Sequence, residues 1–431
     1  MSLSCPNPLA PTPSFPHGAS VRRAGTWWTL PAALLPLAAA ACLLGACTSS
    51  GPKVEVDKDA VSRYRSAGYA HTLEENLVVQ RISPTVTQLP WTYTITRPAG
   101  TGPARPIIIF LPALGEADNS ACRWVELWAR AGYAVLTIQA LDDDAQIWTT
   151  SLARSGDFER VARARFTDDL MADRVARLAH LLSQVKARSQ GGDQQLAGLD
   201  WDRVALAGAD LGAYTVQSIA SSTPEQLRSL AWPLSPLAFL AVSPYARQSA
   251  ADAGVPLHAS APLMMVSSRD DVDAYGVVTS VTLRHAAFDR LSGGDDYFLE
   301  LAATSHRWLS GVAPSQSNAE AAQRPRPAFA DETPSQRARS KSGGDNVAPG
   351  EYEDLAPDLA AKQAATRAER DAQLAKARSR QLTQQAMSEV GFEDVSVAFF
   401  DANLRRDARA RGWLADAAPA WLQNGDRLKH R

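Results

Sequence analysis

The 431-residue chain lacks several features that would assign a function directly. Its formal net charge is −2, so the composition indicates no basic surface for nucleic acid. It offers no cluster of metal-ligating residues, and Gly208 and Gly212 lack the Gly-x-Gly-x-x-Gly spacing of a dinucleotide site. We therefore expect no cofactor and no metal, and a small molecule as substrate or ligand.

Cysteine is also scarce, with four residues in the whole chain. Cys5 and Cys42 lie within a predicted signal peptide, so only Cys47 and Cys122 remain in the mature protein. If Cys47 carries a lipid, no intramolecular disulfide can form, even in an oxidising compartment.

Residues 1–46 have the pattern of a secretory signal, with a basic start and an apolar run from Trp27 to Ala46. An ordinary signal peptide or a transmembrane anchor is the alternative, but the run is short for a span and contains two prolines. Its end, Leu44-Gly45-Ala46-Cys47, resembles a bacterial lipobox. The resemblance implies a lipoprotein of the cell envelope, held in the membrane through Cys47. Thr48 follows the cysteine, which implies the outer membrane, facing the periplasm.

Composition divides the mature chain into four regions. Residues 47–84 contain the lipidated cysteine, a polar tether and an N-terminal segment. Residues 85–311 alternate buried-strand and helix patterns, which predicts an α/β domain with a mostly parallel sheet covered by helices on both faces. Residues 312–392 are predicted to be an insertion, first disordered and then a solvated helix, and a helix that binds a protein partner is the alternative. Residues 393–431 are predicted to form the closing helix of the domain and a tail.

The most informative stretch is Gly208-Ala209-Asp210-Leu211-Gly212. An apolar run enters it and an alanine-rich helical pattern leaves it, as in the strand, turn and helix of a nucleophile elbow. The two glycines predict a turn too tight for side chains, with Asp210 near positive φ. A plain strand-to-helix turn is the alternative. The usual elbow presents serine, whereas this one presents a carboxylate.

Two further loops should meet the elbow at the carboxyl edge of the sheet. One contains Asp270 and Asp271 and follows a buried strand, and the other ends at His306 and follows the last strand of residues 85–311. The order of nucleophile, acid and histidine is that of α/β hydrolases. We expect Asp270 as the acid, with its neighbour Asp271 as the alternative, and His306 as the base. A surface role is the alternative for His306.

Three segments resemble the dienelactone-hydrolase and platelet-activating-factor-acetylhydrolase-like branch of the α/β hydrolases: AGADLGAYTVQ, GGDDYFLELAATSH and FFDANLRRDARARGWL. The resemblance covers roughly residues 85–311 and 393–425. It implies an α/β-hydrolase fold without a large cap domain. It places Asp210 at the serine position, Asp270 at the triad acid and His306 at the base. It also implies an oxyanion hole built from the N–H of Leu211 and one N–H of the Ala113-Leu114 turn.

The departures from that family leave two functions open. Asp210 replaces serine, and Pro112-Ala113 stands where the family has His-Gly. Attack by a carboxylate on an ordinary ester would give an energetically uphill anhydride, and two carboxylates around an imidazole favour its charged form. One hypothesis is a hydrolase of ester-like small substrates that uses Asp210, as the haloalkane dehalogenases and epoxide hydrolases use aspartate. The other is a non-catalytic relative that binds a ligand or an envelope partner.

Overall fold

The computed structural model describes residues 53–82, 91–100, 102–120, 122–246, 258–273, 275–292, 294–312, 356–422 and 424–431. The predicted signal peptide, the lipidation of Cys47 and, apart from residue 312, the segment of residues 312–350 that is predicted to be disordered lie outside these ranges. Among the described helices, none combines the length and the apolar character needed to cross a membrane.

Within the described residues, nine strands form one sheet in the order β1-β2-β4-β3-β5-β6-β7-β8-β9. Every neighbouring pair from β4 across to β8 is parallel, whereas β1, β2 and β9 join the sheet antiparallel. The predicted mostly parallel sheet is therefore confirmed. The strands are β1 (Leu77–Arg81), β2 (Trp91–Pro98), β3 (Arg105–Leu111), β4 (Ala134–Ala140), β5 (Leu199–Ala209), β6 (Ala238–Val242), β7 (Leu263–Asp270), β8 (Tyr297–Ser305) and β9 (Arg427–His430).

Helices lie between these strands and along both faces of the sheet. They are α1 (Lys58–Ser66), α2 (Cys122–Arg130), α3 (Ser151–Arg154), α4 (Phe158–Arg165), α5 (Asp168–Gln190), α6 (Leu211–Ala220), α7 (Pro224–Ser229), α8 (Val281–Asp289), α9 (His306–Leu309), α10 (Ala356–Leu404), α11 (Ala408–Gly412) and α12 (Ala418–Trp421). The connection between β4 and α5 contains α3 and α4. Their first turns are capped by the side chains of Thr150 and Asp157, which accept from backbone N–H groups.

The core has two layers because side chains alternate across the strands. Ile107 and Ile109 of β3 face a layer that includes side chains of α5, α6 and α8. Ile108 and Phe110 face the opposite layer, which contains the aromatic side chains of α2 and the C-terminal part of α10. The carboxyl ends of the central strands thus stay at one edge of the sheet, between two helical layers.

Helix α10 is continuous over 49 residues and runs through residue 392, where the insertion was predicted to end and the closing helix to follow. Ser388, Val390 and Phe392 are already buried, so the core part of the helix begins about one turn earlier. The helix ends at Leu404, and Ala408 begins a separate helix, because Arg406 takes a positive φ of 55° between them. The predicted closing helix, which was expected to begin at residue 393, is therefore the last quarter of a longer helix.

The N-terminal segment packs along α10. The backbone N–H of Glu55 donates to Ser379 Oγ at 3.1 Å, and that of Asp57 donates to Thr383 Oγ1 at 2.9 Å. Further on, Arg65 forms an ion pair with Glu393 at 2.6 Å. Contacts advance along both segments together, so the N-terminal segment runs parallel to the helix from its middle toward its C-terminal end.

Candidate functional site

Asp210 stands at a tight turn between β5 and α6, with φ at 52°. A Cβ atom on Gly208 would overlap the carbonyl of Gly212, and one on Gly212 would overlap the carbonyl oxygen of Leu111 at the end of β3. Neither position can accept a side chain without displacing backbone. The tight turn that the two glycines predict is present, and it presents Asp210 at the carboxyl edge of the sheet.

The Asp210 carboxylate is nearly buried, at 9% exposure, and it meets a backbone donor. The N–H of Leu114 donates to its Oδ2 at 3.4 Å. Burial raises the pKa of Asp210, with a further contribution from the charge of Asp273, while His306 and Arg284 act in the opposite direction. Leu211 is the first residue of α6, where N–H groups have no intrahelical acceptor. Of the two predicted oxyanion-hole donors, the N–H of Leu114 contacts Asp210, and that of Leu211 belongs to the next residue in the chain.

The turn that contains Ala113 and Leu114 is fixed by a buried polar network. Gln139 donates to the carbonyl of Ala113 at 3.0 Å and to that of Glu116 at 2.7 Å. The N–H of Gly115 donates to the carbonyl of Asp143 at 2.8 Å. The Asp143 carboxylate in turn pairs with the buried Arg174 of α5. Ala113 therefore serves the turn through its carbonyl, and Leu114 supplies the N–H that reaches Asp210.

His306 begins α9, directly after β8, and its partner is Asp271. Its Nδ1 lies 2.7 Å from Asp271 Oδ1. Three more groups hold the same carboxylate: Ser243 Oγ at 2.9 Å, Ser267 Oγ at 2.7 Å and Arg284 Nε at 3.1 Å. Burial alone would raise the pKa of Asp271, but these donors and charges outweigh it and lower the pKa. Asp271 is therefore held ionised against the imidazole.

The acid expected at Asp270 is corrected by this arrangement. Asp270 is exposed and continues the β7 ladder, where it pairs with Ser305. The register shifts between Ser268 and Asp270, and the N–H of Asp271 then donates to the carbonyl of Ser268. The chain turns at that point, which aims the next side chain inward toward His306. Asp271, the alternative that the sequence left open, occupies the place expected for Asp270.

The electrostatics of His306 are those of an imidazole between two carboxylates. Burial alone would lower its pKa, but the hydrogen bond with Asp271 and the charge of Asp210 outweigh burial and raise it. Among the described contacts, no hydrogen bond joins His306 to Asp210 directly. The free protein therefore stabilises the charged form of the imidazole, and the Asp210 carboxylate contributes by its charge while accepting from the N–H of Leu114.

Aromatic and acidic side chains surround the approach to Asp210. Trp148 stacks on Tyr275 with ring centroids 4.6 Å apart, and a Cβ on Gly115 would overlap the Trp148 indole. Burial raises the pKa of Tyr275, and the charges of Asp210 and Glu116 add to that effect. The phenol consequently keeps its proton and remains a hydrogen-bond donor near the carboxylate. Trp148 lies in a 3-10 turn (Ala145–Thr149) of the connection between β4 and α5, and Tyr275 lies in the connection between β7 and α8.

Sequence reasoning missed the residues that support this site, above all Arg284. One signal was present: Arg284, Ala287, Phe288 and Leu291 share the three-and-four spacing of a buried helical stripe, and an arginine on such a stripe indicates a buried charge partner. Gln139 carried no comparable signal. Among the described residues, no three His, Cys, Asp or Glu side chains converge as metal ligands.

The chain was compared with known proteins. No family model matches it, and no curated protein matches it. The geometry and chemistry of the site are therefore the basis on which a function is assigned.

Proposed function

We propose that the chain is a lipid-anchored enzyme with an α/β-hydrolase fold. It hydrolyses the bond between a saturated carbon and a leaving group through a covalent ester on Asp210. The strand order, with β2 antiparallel, supports the fold assignment. The elbow after β5, an acid after β7 and a histidine after β8 support it further, because this is the order of functional residues in that fold.

The hydrogen bond from Leu114 to Asp210 Oδ2 carries the proposal. If the other oxygen, Oδ1, attacks a saturated carbon, the electron pair leaves with the leaving group and no oxyanion forms on the substrate. Water must then attack Cγ of the new ester, and that attack places negative charge on Oδ2. Leu114 already donates to this oxygen, and the N–H of Leu211 is the adjacent donor.

The same hydrogen bond disfavours ordinary carboxylic esters. Attack on an ester carbonyl requires a donor pair for the substrate's own oxygen, but the Leu114 N–H is already engaged by the enzyme's carboxylate. The product of that attack would also be an anhydride. The N–H groups of Leu114 and Leu211 are therefore placed to stabilise a tetrahedral intermediate formed at Cγ of Asp210, and not one formed at the carbonyl carbon of a substrate ester.

The charge on His306 fits this order of steps. In the free protein, the charge of Asp210 helps to raise the pKa of His306, so the imidazole is a poor base. Alkylation turns Asp210 into a neutral ester and removes that contribution. His306 then loses its proton more readily and can activate water, while Asp271 orients the ring.

The complete reaction balances as R–X plus water giving R–OH, X⁻ and a proton. Asp210 Oδ1 forms the carbon–oxygen bond while the carbon–X bond breaks. Water then adds to Cγ and gives one proton to His306. The tetrahedral intermediate expels the alkoxide, which takes that proton from His306 and leaves as the alcohol, and the remaining carboxyl group releases the second water proton to solvent and becomes a carboxylate again. Tyr275, whose phenol stays protonated, is the donor available to the leaving group.

Oxygen-18 labelling tests the proposal on the full lipid-anchored chain in detergent. Short haloalkanes and terminal epoxides are turned over repeatedly in labelled water, and the peptide containing Asp210 is then weighed. We expect the label to enter Asp210, because each cycle replaces a carboxylate oxygen. Asp210→Asn should abolish turnover, and His306→Gln should accumulate the ester adduct.

Asp210→Ser provides the complementary measurement. A hydroxyl at the elbow leaves the Leu114 N–H free for a substrate oxygen, so we expect weak aryl-ester hydrolysis and no haloalkane or epoxide turnover. Label that appears only in the product, and never in Asp210, would contradict a covalent ester. A parent protein silent on every substrate class would favour the non-catalytic binding hypothesis instead.

A further inference from the structure

Charge is divided sharply along helix α10. The residues from 381 to 404 include four acidic side chains and no basic one: Glu389, Glu393, Asp394 and Asp401. The outer part, residues 362–380, contains six basic side chains and only the acidic Glu369 and Asp371. The basic residues are Lys362, Arg367, Arg370, Lys376, Arg378 and Arg380. The half that leaves the core is therefore strongly cationic, whereas the half that enters the core is anionic.

Most of these cations share one face. A helix turns about 100° per residue, so positions can be compared by their angle around the axis. Five of the basic side chains lie within about 80° of a common direction, and both acidic side chains lie outside that sector. We call these five the basic face: Lys362, Arg367, Arg370, Arg378 and Arg380.

The basic face is exposed, and an apolar side chain lies among its cations. All five of its cations are solvent-exposed, and Leu374 between them is 59% exposed. Among the described residues, no ion pair engages Arg367 or Arg370. An exposed leucine within a cluster of arginines is typical of a surface that meets lipid headgroups, because the alkyl group enters the boundary while the cations contact phosphate.

The N-terminal segment lies on the opposite side of the helix. Ser379 and Thr383, which accept from Glu55 and Asp57, are turned about 140° to 180° from Arg370. That segment runs parallel to the helix, so its first described residues lie beside the end of the basic half. It therefore leaves the basic face open.

The short segment between Cys47 and the first described residue limits the distance between the predicted lipid anchor and helix α10. Five residues, 48–52, lie between Cys47 and residue 53, where the described segment begins, so six Cα–Cα steps join the two. They span at most about 20 Å. The outer part of the helix, from Lys362 to Arg380, is about 27 Å long. A lipid on Cys47 consequently holds the basic half close to the membrane surface, where anionic headgroups attract cations over a Debye length of about 8 to 10 Å.

We propose that the basic face of α10 binds anionic lipid headgroups beside the Cys47 anchor, so that the helix lies against the membrane. This inference rests on the predicted lipidation and not on the proposed hydrolase chemistry. Each cation near an anionic surface contributes about a fivefold gain in binding. Reversing Arg367 and Arg370 together should therefore weaken the contact at least about tenfold.

The test uses the full lipid-anchored chain with a polarity-sensitive dye on Leu374→Cys. The chain is reconstituted into phosphatidylcholine vesicles with or without phosphatidylglycerol. We expect the dye to report an apolar environment, and to be quenched by spin-labelled lipid, only in the anionic vesicles. The signal should disappear at 0.5 M salt and in Arg367→Glu/Arg370→Glu, but persist in Arg154→Glu/Arg160→Glu, which reverses two exposed arginines elsewhere.

Three outcomes would overturn the proposal. If the chain is recovered with both kinds of vesicle and the dye signal is identical in the two, the anchor holds but the basic face does not bind anionic lipid. Recovery with neither kind would remove the anchor as well. A signal that responds to an anionic cell-wall polymer and not to anionic lipid would assign the face to that polymer. None of these readouts depends on catalytic turnover, so failure of the hydrolase proposal is detected separately.

Discussion

At the scale of single residues, the site depends on which of two adjacent aspartates faces His306. The buried-strand pattern locates the end of β7, and it brings both Asp270 and Asp271 to the correct edge of the sheet. It cannot locate the register shift between Ser268 and Asp270, because that irregularity arises from pairing with β8 and leaves no mark on residue type. The identity of the acid was therefore predictable only to within one residue.

Replacing each aspartate with asparagine separates their roles. Asp271→Asn should lower the pKa of His306, because it removes the carboxylate that holds the imidazolium. It should also destabilise the fold by about 3 kcal/mol, because Arg284 loses its buried counter-charge. Asp270→Asn is the matched control and should change stability by less than about 0.5 kcal/mol. NMR titration of His306 and urea unfolding measure both effects, and equal behaviour of the two variants would disprove the assignment.

At the scale of elements, the elbow was predictable because its two glycines indicate places where another backbone segment lies too close for a side chain. The strands and helices that flank it were predicted by their apolar periodicity. The continuity of α10 was missed, since a change from polar to apolar composition was interpreted as the end of one element. Helix propensity persists through that change, and packing begins at Ser388 without a break.

Glycine substitution tests the elbow as an element. Gly212→Ala should destabilise the domain by about 1 to 3 kcal/mol and displace the Leu114 turn, because its Cβ would overlap the Leu111 carbonyl. Gly412→Ala is the control: it lies in α11, and nothing lies within 4 Å of the added Cβ. That variant should be neutral or gain up to about 1 kcal/mol. Thermal unfolding compares the two, and a tolerated Gly212→Ala would contradict the close approach.

At the scale of the whole molecule, coupled charges set the response to pH. Burial raises the pKa of Asp210, and the two carboxylates raise that of His306. Asp210 must be ionised to attack, and His306 must be neutral to activate water. Protonation of Asp210 prevents formation of the adduct, whereas protonation of His306 slows only its hydrolysis. Turnover should therefore rise toward alkaline pH, and the covalent adduct should accumulate over the mildly acidic range in which His306 is charged while Asp210 is ionised. Mass spectrometry of acid-quenched samples across a pH series measures this, and an adduct fraction independent of pH would contradict it.

Because helix α10 is unbroken, its length also fixes the direction in which the basic face points relative to the core. Its inner half is fixed by the core, and its outer half carries the basic face. One residue inserted between 381 and 388 would turn that face by about 100° about the axis and move it about 1.5 Å along it. An insertion of seven residues would nearly restore the direction, at about 10 Å greater distance. The length of this helix is therefore constrained in steps of two turns, a constraint that a flexible linker would not impose.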